Sequence, residues 1–208
     1  MGWFSRKITD PAEAFDRLLQ KDKKISDQAR DDFVANLNHN LIEFLHERFE
    51  EQDSVETRLK ILEIFAARKN NLSEEDLRLI LTLIKYPETL FRETFKEILA
   101  GITEENLKAV TEVLGKTLDP DIHSTIQHGI EKSGILRKLL EKWNNYTVKE
   151  QILYLDEVVT LQNPKTYPIF MDIMKEEAIE AKKDEKKVLQ VEFSKRVDKI
   201  KNPEFLDL

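Results

Sequence analysis

The stretch Asp119-Pro-Asp-Ile-His-Ser-Thr-Ile-Gln-His-Gly-Ile-Glu-Lys-Ser-Gly134 decides the fold. Asp119 stands where a helix N-cap belongs, because a short carboxylate accepts from the unpaired N–H groups of a first turn. Pro120 follows at a first-turn position, where a missing N–H does no harm. Ile122, Ile126 and Ile130 then recur at four-residue steps, one face of a helix, and Gly134 supplies the exit.

The same punctuation recurs on both sides. Asp53/Ser54, Ser73, Thr103, Thr147 and Asn163 mark further helix starts. Asp53-x-x-Glu56 and Thr147-x-x-Glu150 read as capping boxes, since the Glu reaches back to the free N–H of the cap. Pro87 opens a helix that ends at Gly101, read as a left-handed C-cap, and later helices are predicted over about 103–117, 119–133, 135–144 and 147–161. Starts fall roughly 13–19 residues apart and similar elements recur roughly every 32, the period of a helix-hairpin repeat.

Nearer the N-terminus, Asp10-Pro11 opens a short helix with Ala14, Phe15, Leu18 and Leu19. A charged turn, Lys21 to Lys24, leads to Ser26. From there an amphipathic stretch runs to about Glu50 through Ala29, Phe33, Leu37, Leu41, Phe44, Leu45 and Phe49, with a break expected in Asn36–Asn40. After Ser73, the residues Leu77, Leu79, Ile80, Leu81, Leu83 and Ile84 predict a helix buried on several sides. Asn163-Pro164 opens a last helical region to about Lys201. No segment alternates with period two, so no sheet is expected. The expected organisation is an arm over 1–10, one α-helical repeat domain over 11–201 and a tail over 202–208.

The Asp119–Gly134 stretch resembles the first helix of a HEAT repeat. Asn163-Pro164 with Ile169, Phe170 and Ile173 looks similar, and Tyr86-Pro87 with Leu90 and Phe91 is a looser echo. The resemblance covers roughly residues 54–175 and extends to armadillo-like proteins. The basic residue that HEAT units often carry after their first helix is not evident, so the repeats read as degenerate. The resemblance implies an all-α, right-handed stack of antiparallel helix hairpins whose curved surface recognises a protein. It carries over no catalytic residues.

Composition narrows the function. The chain has 208 residues, a formal net charge of −7 and no cysteine. The missing thiols exclude disulfides, Cys-ligated zinc, iron–sulfur clusters and thiol nucleophiles. The acidic balance disfavours nucleic acid, whose binders neutralise phosphate with a basic stripe. The first residues lack the apolar core of a signal peptide, and Arg6 stands where myristoylation wants Ser or Thr. A cytoplasmic location is the expectation.

No cofactor or metal is expected. Glu43-x-x-His46 has one-turn ligand spacing but no second copy, His39 and His46 lie two turns apart, and His123 and His128 face different ways. There is no Gly-x-Ser-x-Gly elbow, phosphate loop or His-Glu-x-x-His motif. Glu43–Glu56 is an acidic edge suited to a basic partner, whereas 175–202 carries nine basic and seven acidic residues. Trp3 and Phe4 beside Arg6 and Lys7 suit a partner groove, or a weak membrane-surface contact. Residues 203–208 read as a docking peptide or a fold-back over the last helix.

The expected function is a non-enzymatic scaffold or adaptor that presents a helical-repeat surface to a protein. The partner-binding candidates are Trp3, Phe4, Arg78, Lys85, Lys108, Glu112, Lys116, Trp143 and Tyr146. One alternative is a HEAT-like DNA glycosylase of the alkylation-repair type, with Trp143, Tyr146 and Tyr154 beside Lys138, Lys142 and Lys149 as a groove edge. Against it, Trp143 and Tyr146 read more simply as closing an inter-helix turn. Another alternative is a structural subunit that self-associates through Leu189, Phe193, Val197 and Ile200.

Overall fold

The computed structural model describes residues 7–174 and 183–200; among them are twelve α-helices and no strand. In chain order these are α1 (Pro11–Leu18), α2 (Lys23–Asn36), α3 (His39–Glu51), α4 (Val55–Ala67), α5 (Glu74–Leu81) and α6 (Thr89–Leu99). They continue as α7 (Leu107–Lys116), α8 (Pro120–Ser133), α9 (Ile135–Trp143), α10 (Val148–Leu161), α11 (Tyr167–Met174) and α12 (Lys183–Ser194). The fold is all-α, as the periodicity predicts.

Most starts follow from the caps. Asp119 accepts from the backbone N–H groups of Asp121 and Ile122, at 2.8 and 3.2 Å. Thr147 and Glu150 form a reciprocal box, and so do Ser73 and Asp76. Five boundaries differ from expectation: Pro87 does not open α6 but precedes its cap, Glu88, and four others follow. Ser54, not Asp53, caps α4. Asp22 caps α2, so the helix begins inside the predicted charged turn, and Ser26 lies within it with its hydroxyl donating to the Leu18 carbonyl. The helix expected from Thr103 begins at Leu107: Asn106 accepts from the Thr103 N–H and donates to the Leu72 carbonyl, holding the segment as a turn. Gly101 is not left-handed; among the described residues Gly134 is the glycine with positive φ, at 71°. A Cβ on Gly101 would stand 2.6 Å from the Lys69 backbone, so close approach requires glycine there.

Packing joins every second helix. One row runs α2, α4, α6, α8; the other runs α3, α5, α7, α10, α12. α1 packs on α2, and Phe15 meets Phe44 of α3 edge to face. The expected alternation breaks at α9. This helix follows α8 after a single residue, Gly134, and packs toward α11, so that α10 and not α9 joins α7. The buried apolar side chains form two abutting clusters. The first reaches from Ala14 to Leu139 and includes Leu161; the second runs from Trp143 to Ile200; Tyr154 packs against both. The stripe expected to drive self-association is largely internal: Leu189, Phe193 and Ile200 are buried, and Phe193 stacks on Phe170.

Side-chain hydrogen bonds between helices repeat the same step. Lys60 reaches Ser26 and Asn106 reaches Leu72, each across 34 residues. His46 meets Thr82, Tyr86 meets Glu50 and Asn163 meets Gln127 across 36, while Lys142 meets Glu104 across 38. Towards the end the step lengthens, with Arg196 reaching Asp156 across 40. These side chains find their partners one hairpin away, while others, such as Ser26 on Leu18, Gln151 on Trp143 and Gln190 on Ile173, tie adjacent helices.

α6 and α8 meet closely, with Gly129 against Leu99 and no room for a Cβ. Gly129→Ala therefore forces two packed helices apart. It is expected to destabilise the chain by about 1–3 kcal/mol, read as a lower urea midpoint at unchanged slope. An unchanged midpoint would contradict the contact.

Candidate interaction surface

The second row carries most of the residues expected to meet a partner, and its charges bridge neighbouring helices. Arg78 on α5 pairs with Glu74 one turn back and with Glu112 on α7. Lys85 lies 3.1 Å from Glu50 of α3. The Tyr86 hydroxyl donates to the same carboxylate at 2.9 Å, and the Arg58 guanidinium sits 4.4 Å over the Tyr86 ring. Burial pushes the Glu50 carboxyl up, but the Lys85 and Tyr86 contacts outweigh it, leaving the group below its usual range. Arg78 and Lys85 are thus exposed yet engaged.

Lys108 and Lys116 differ. Both are exposed on α7, and neither makes an ion pair with a described residue. Lys108 faces Glu157 of α10, whose carboxyl is pushed up by burial and whose Oε2 has no hydrogen-bond partner. One turn before Glu157, Leu153 is 66% exposed, and Lys149 lies a turn further back. This patch, α7 against α10, is one of the surfaces the second row offers to solvent.

The acidic edge over Glu43–Glu56 is mostly occupied from within: Glu43 by His39, Glu50 by Lys85, Glu51 by Arg48 and Glu56 by Lys60. Little of its charge is left over for a basic partner.

Trp143 is 2% exposed and belongs to the second core cluster. Its carbonyl accepts from Gln151 at 2.9 Å, tying the end of α9 to α10. Tyr146 stacks on Tyr154 at 5.3 Å between centroids, and its hydroxyl donates to Glu104 at 2.9 Å. Burial first, and then Glu104, pushes the Tyr146 hydroxyl well above its ordinary value. Lys142 also pairs with Glu104, at 2.5 Å. Of the residues considered as a groove edge, Trp143, Tyr146, Tyr154 and Lys142 therefore hold the α9–α10 turn together beside Glu104. Trp3 and Phe4, with residues 203–208, lie outside the described residues. Among the described residues no cluster of His, Asp and Glu has the makings of a metal site, and no helix is long and apolar enough to cross a membrane.

A polar junction that sequence reading did not single out joins α3 to α5. His39 Nδ1 lies 2.7 Å from the Asp76 carboxylate, with Glu43 and Glu75 around the ring. Asp76 also completes the α5 capping box. Its signal in the sequence is faint: a histidine at one helix start and an acid in the first turn of a helix one hairpin on. The Asp76 hydrogen bond raises the His39 pKa above 6.5, against a smaller opposing effect of burial. A raised histidine pKa stabilises the fold fully below the unfolded value, and the effect is lost as pH climbs through the folded one. Thermal midpoints recorded from pH 6 to 8.5 should fall more steeply for the wild type than for His39→Gln. Parallel curves would show that the pair does not link folding to pH.

A scan against protein-family models finds no match, and searches of curated proteins and of solved structures likewise return none.

Proposed function

We propose that the chain is a HEAT-like, right-handed superhelix of helix hairpins that serves as a protein-binding scaffold in the cytoplasm, with no catalysis of its own. The observation that carries this reading is the one-hairpin spacing of the side-chain contacts between helices. In an array built that way each unit rests on its neighbours, and the second helices together present a surface that extends across units. Such surfaces suit protein ligands better than small molecules, which take enclosed pockets. The α7–α10 patch supports the same reading: Lys108 and Lys116 lack ion-pair partners among the described residues, and Leu153 is held in solvent between charged neighbours. An apolar centre with a polar rim is the usual composition of a protein interface.

The test is affinity capture from lysate with the wild-type chain and with a K108E/K116E double variant of equal thermal stability. A scaffold that uses this face loses at least one captured protein on charge reversal. Identical captures would remove the face from the account. Nothing captured above a bare-resin control would contradict the scaffold reading itself.

A further inference from the structure

α12 is the last α-helix described, and it carries apolar residues on two opposite sides. The inner side, Leu189 and Phe193, belongs to the second core cluster, and the helix packs on α10 and α11. The outer side holds Val188, 51% exposed, and Val191, 54% exposed. At about 3.6 residues per turn, Asp184, Val188, Val191 and Lys195 stand at steps of four, three and four, one seam that points away from Leu189 and Phe193. A single exposed valine calls for no explanation. Two at the centre of such a seam do, because these steps are the ones by which helices pair side by side. The end of a helical array ordinarily presents a polar outer face, and this one does not.

The seam is its own complement. In chain order it runs acid, valine, valine, base. An antiparallel copy brings Asp184 to the second copy's Lys195 at both ends and Val188 to its Val191 between them. One two-fold axis, passing between Leu189 and Gln190, produces all four contacts, as an isologous dimer requires. A parallel copy would set acid on acid and base on base, which like-charge repulsion opposes. Both end groups can take part. Asp184 is exposed and makes no ion pair with a described residue. The Lys195 side chain is 61% exposed and shares Glu192 with Arg196, which keeps that carboxylate at 2.8 Å whether or not Lys195 turns outward. We propose that the outer face of α12 is a self-association surface, meeting a second copy of this chain antiparallel through Val188 and Val191, with Asp184 on Lys195. This goes beyond the scaffold reading, because a dimer would present each partner surface twice.

One 12-residue helix per copy falls short of the roughly 1,200 Å² that stable complexes bury, so the dimer is weak, with a Kd on the order of 0.1–1 mM. Sedimentation equilibrium of the full chain, from about 0.01 to 1 mM, should show the mean mass rising from one chain toward two across that Kd. Asp184→Lys and Lys195→Glu each place like charges at both ends, and each alone should weaken association at least about fivefold. An equimolar mixture of the two variants has opposite charges at both ends and should associate as tightly as the wild type. Val191→Lys leaves the buried side of α12 untouched and should stay a monomer with an unchanged thermal midpoint.

A wild-type chain that remains a monomer throughout would overturn the proposal and leave the seam to a different occupant. Undiminished association of V191K, or a mixture of D184K and K195E that associates no better than its components, would overturn it as well. Neither variant set touches Lys108 or Lys116, so affinity capture through that face decides the scaffold reading separately.

Discussion

A helix of 8 to 14 residues is marginal in water even with a favourable sequence, and every α-helix described here falls within that range. Each has an apolar side it cannot hide alone. Burial against the helices one hairpin before and after is therefore the constraint on which everything else depends. It explains why the fully buried residues are large and evenly spread, from Phe33 and Phe65 to Phe91, Phe95 and Phe170. Fully burying one such side chain contributes roughly 1.5–3 kcal/mol, and in this arrangement the contribution is shared between neighbours. It also explains Gly101 and Gly129, where close approach leaves no space for a methyl group.

Polar contacts follow the same geometry and give it register. Asn106 ties its turn to the Leu72 carbonyl, and Gln127 donates to the Leu161 carbonyl at 2.6 Å while accepting from Asn163. These buried amides satisfy backbone groups at helix ends that packing alone would leave unpaired. On the outer side, the charges of Arg78, Lys85 and Lys142 engage the adjacent hairpin. Surface pairs of this kind add little stability each; their larger consequence is to decide which charges remain for a partner. Lys108 and Lys116 on α7 are among those that remain.

Much of the fold was legible because its signals are local. Asp119, Pro120 and Gly134 act within a few residues of each other, and the Ser73 and Thr147 caps close rings three residues long. The misread boundaries are those set from a distance. Thr103 and Asn106 are both plausible caps, and the choice turns on a carbonyl 34 residues away. Gly101 looks like a helix exit until the Lys69 backbone is beside it. The insertion of α9 is invisible in periodicity, since its length matches the others. The candidate surface was harder still. Exposure of Arg78 and Lys85 follows from helical position, but their engagement by Glu112 and Glu50 requires knowing which helices are neighbours.

Zero-length carbodiimide cross-linking, mapped by mass spectrometry, tests the neighbour relation most directly, because it joins only carboxylates and amines already in contact. The account predicts bonds between Lys85 and Glu50, Lys132 and Glu97, Lys142 and Glu104, and Lys199 and Asp156, each linking one hairpin to the next. Cross-links confined within single helices, or joining hairpins two or more units apart, would contradict it.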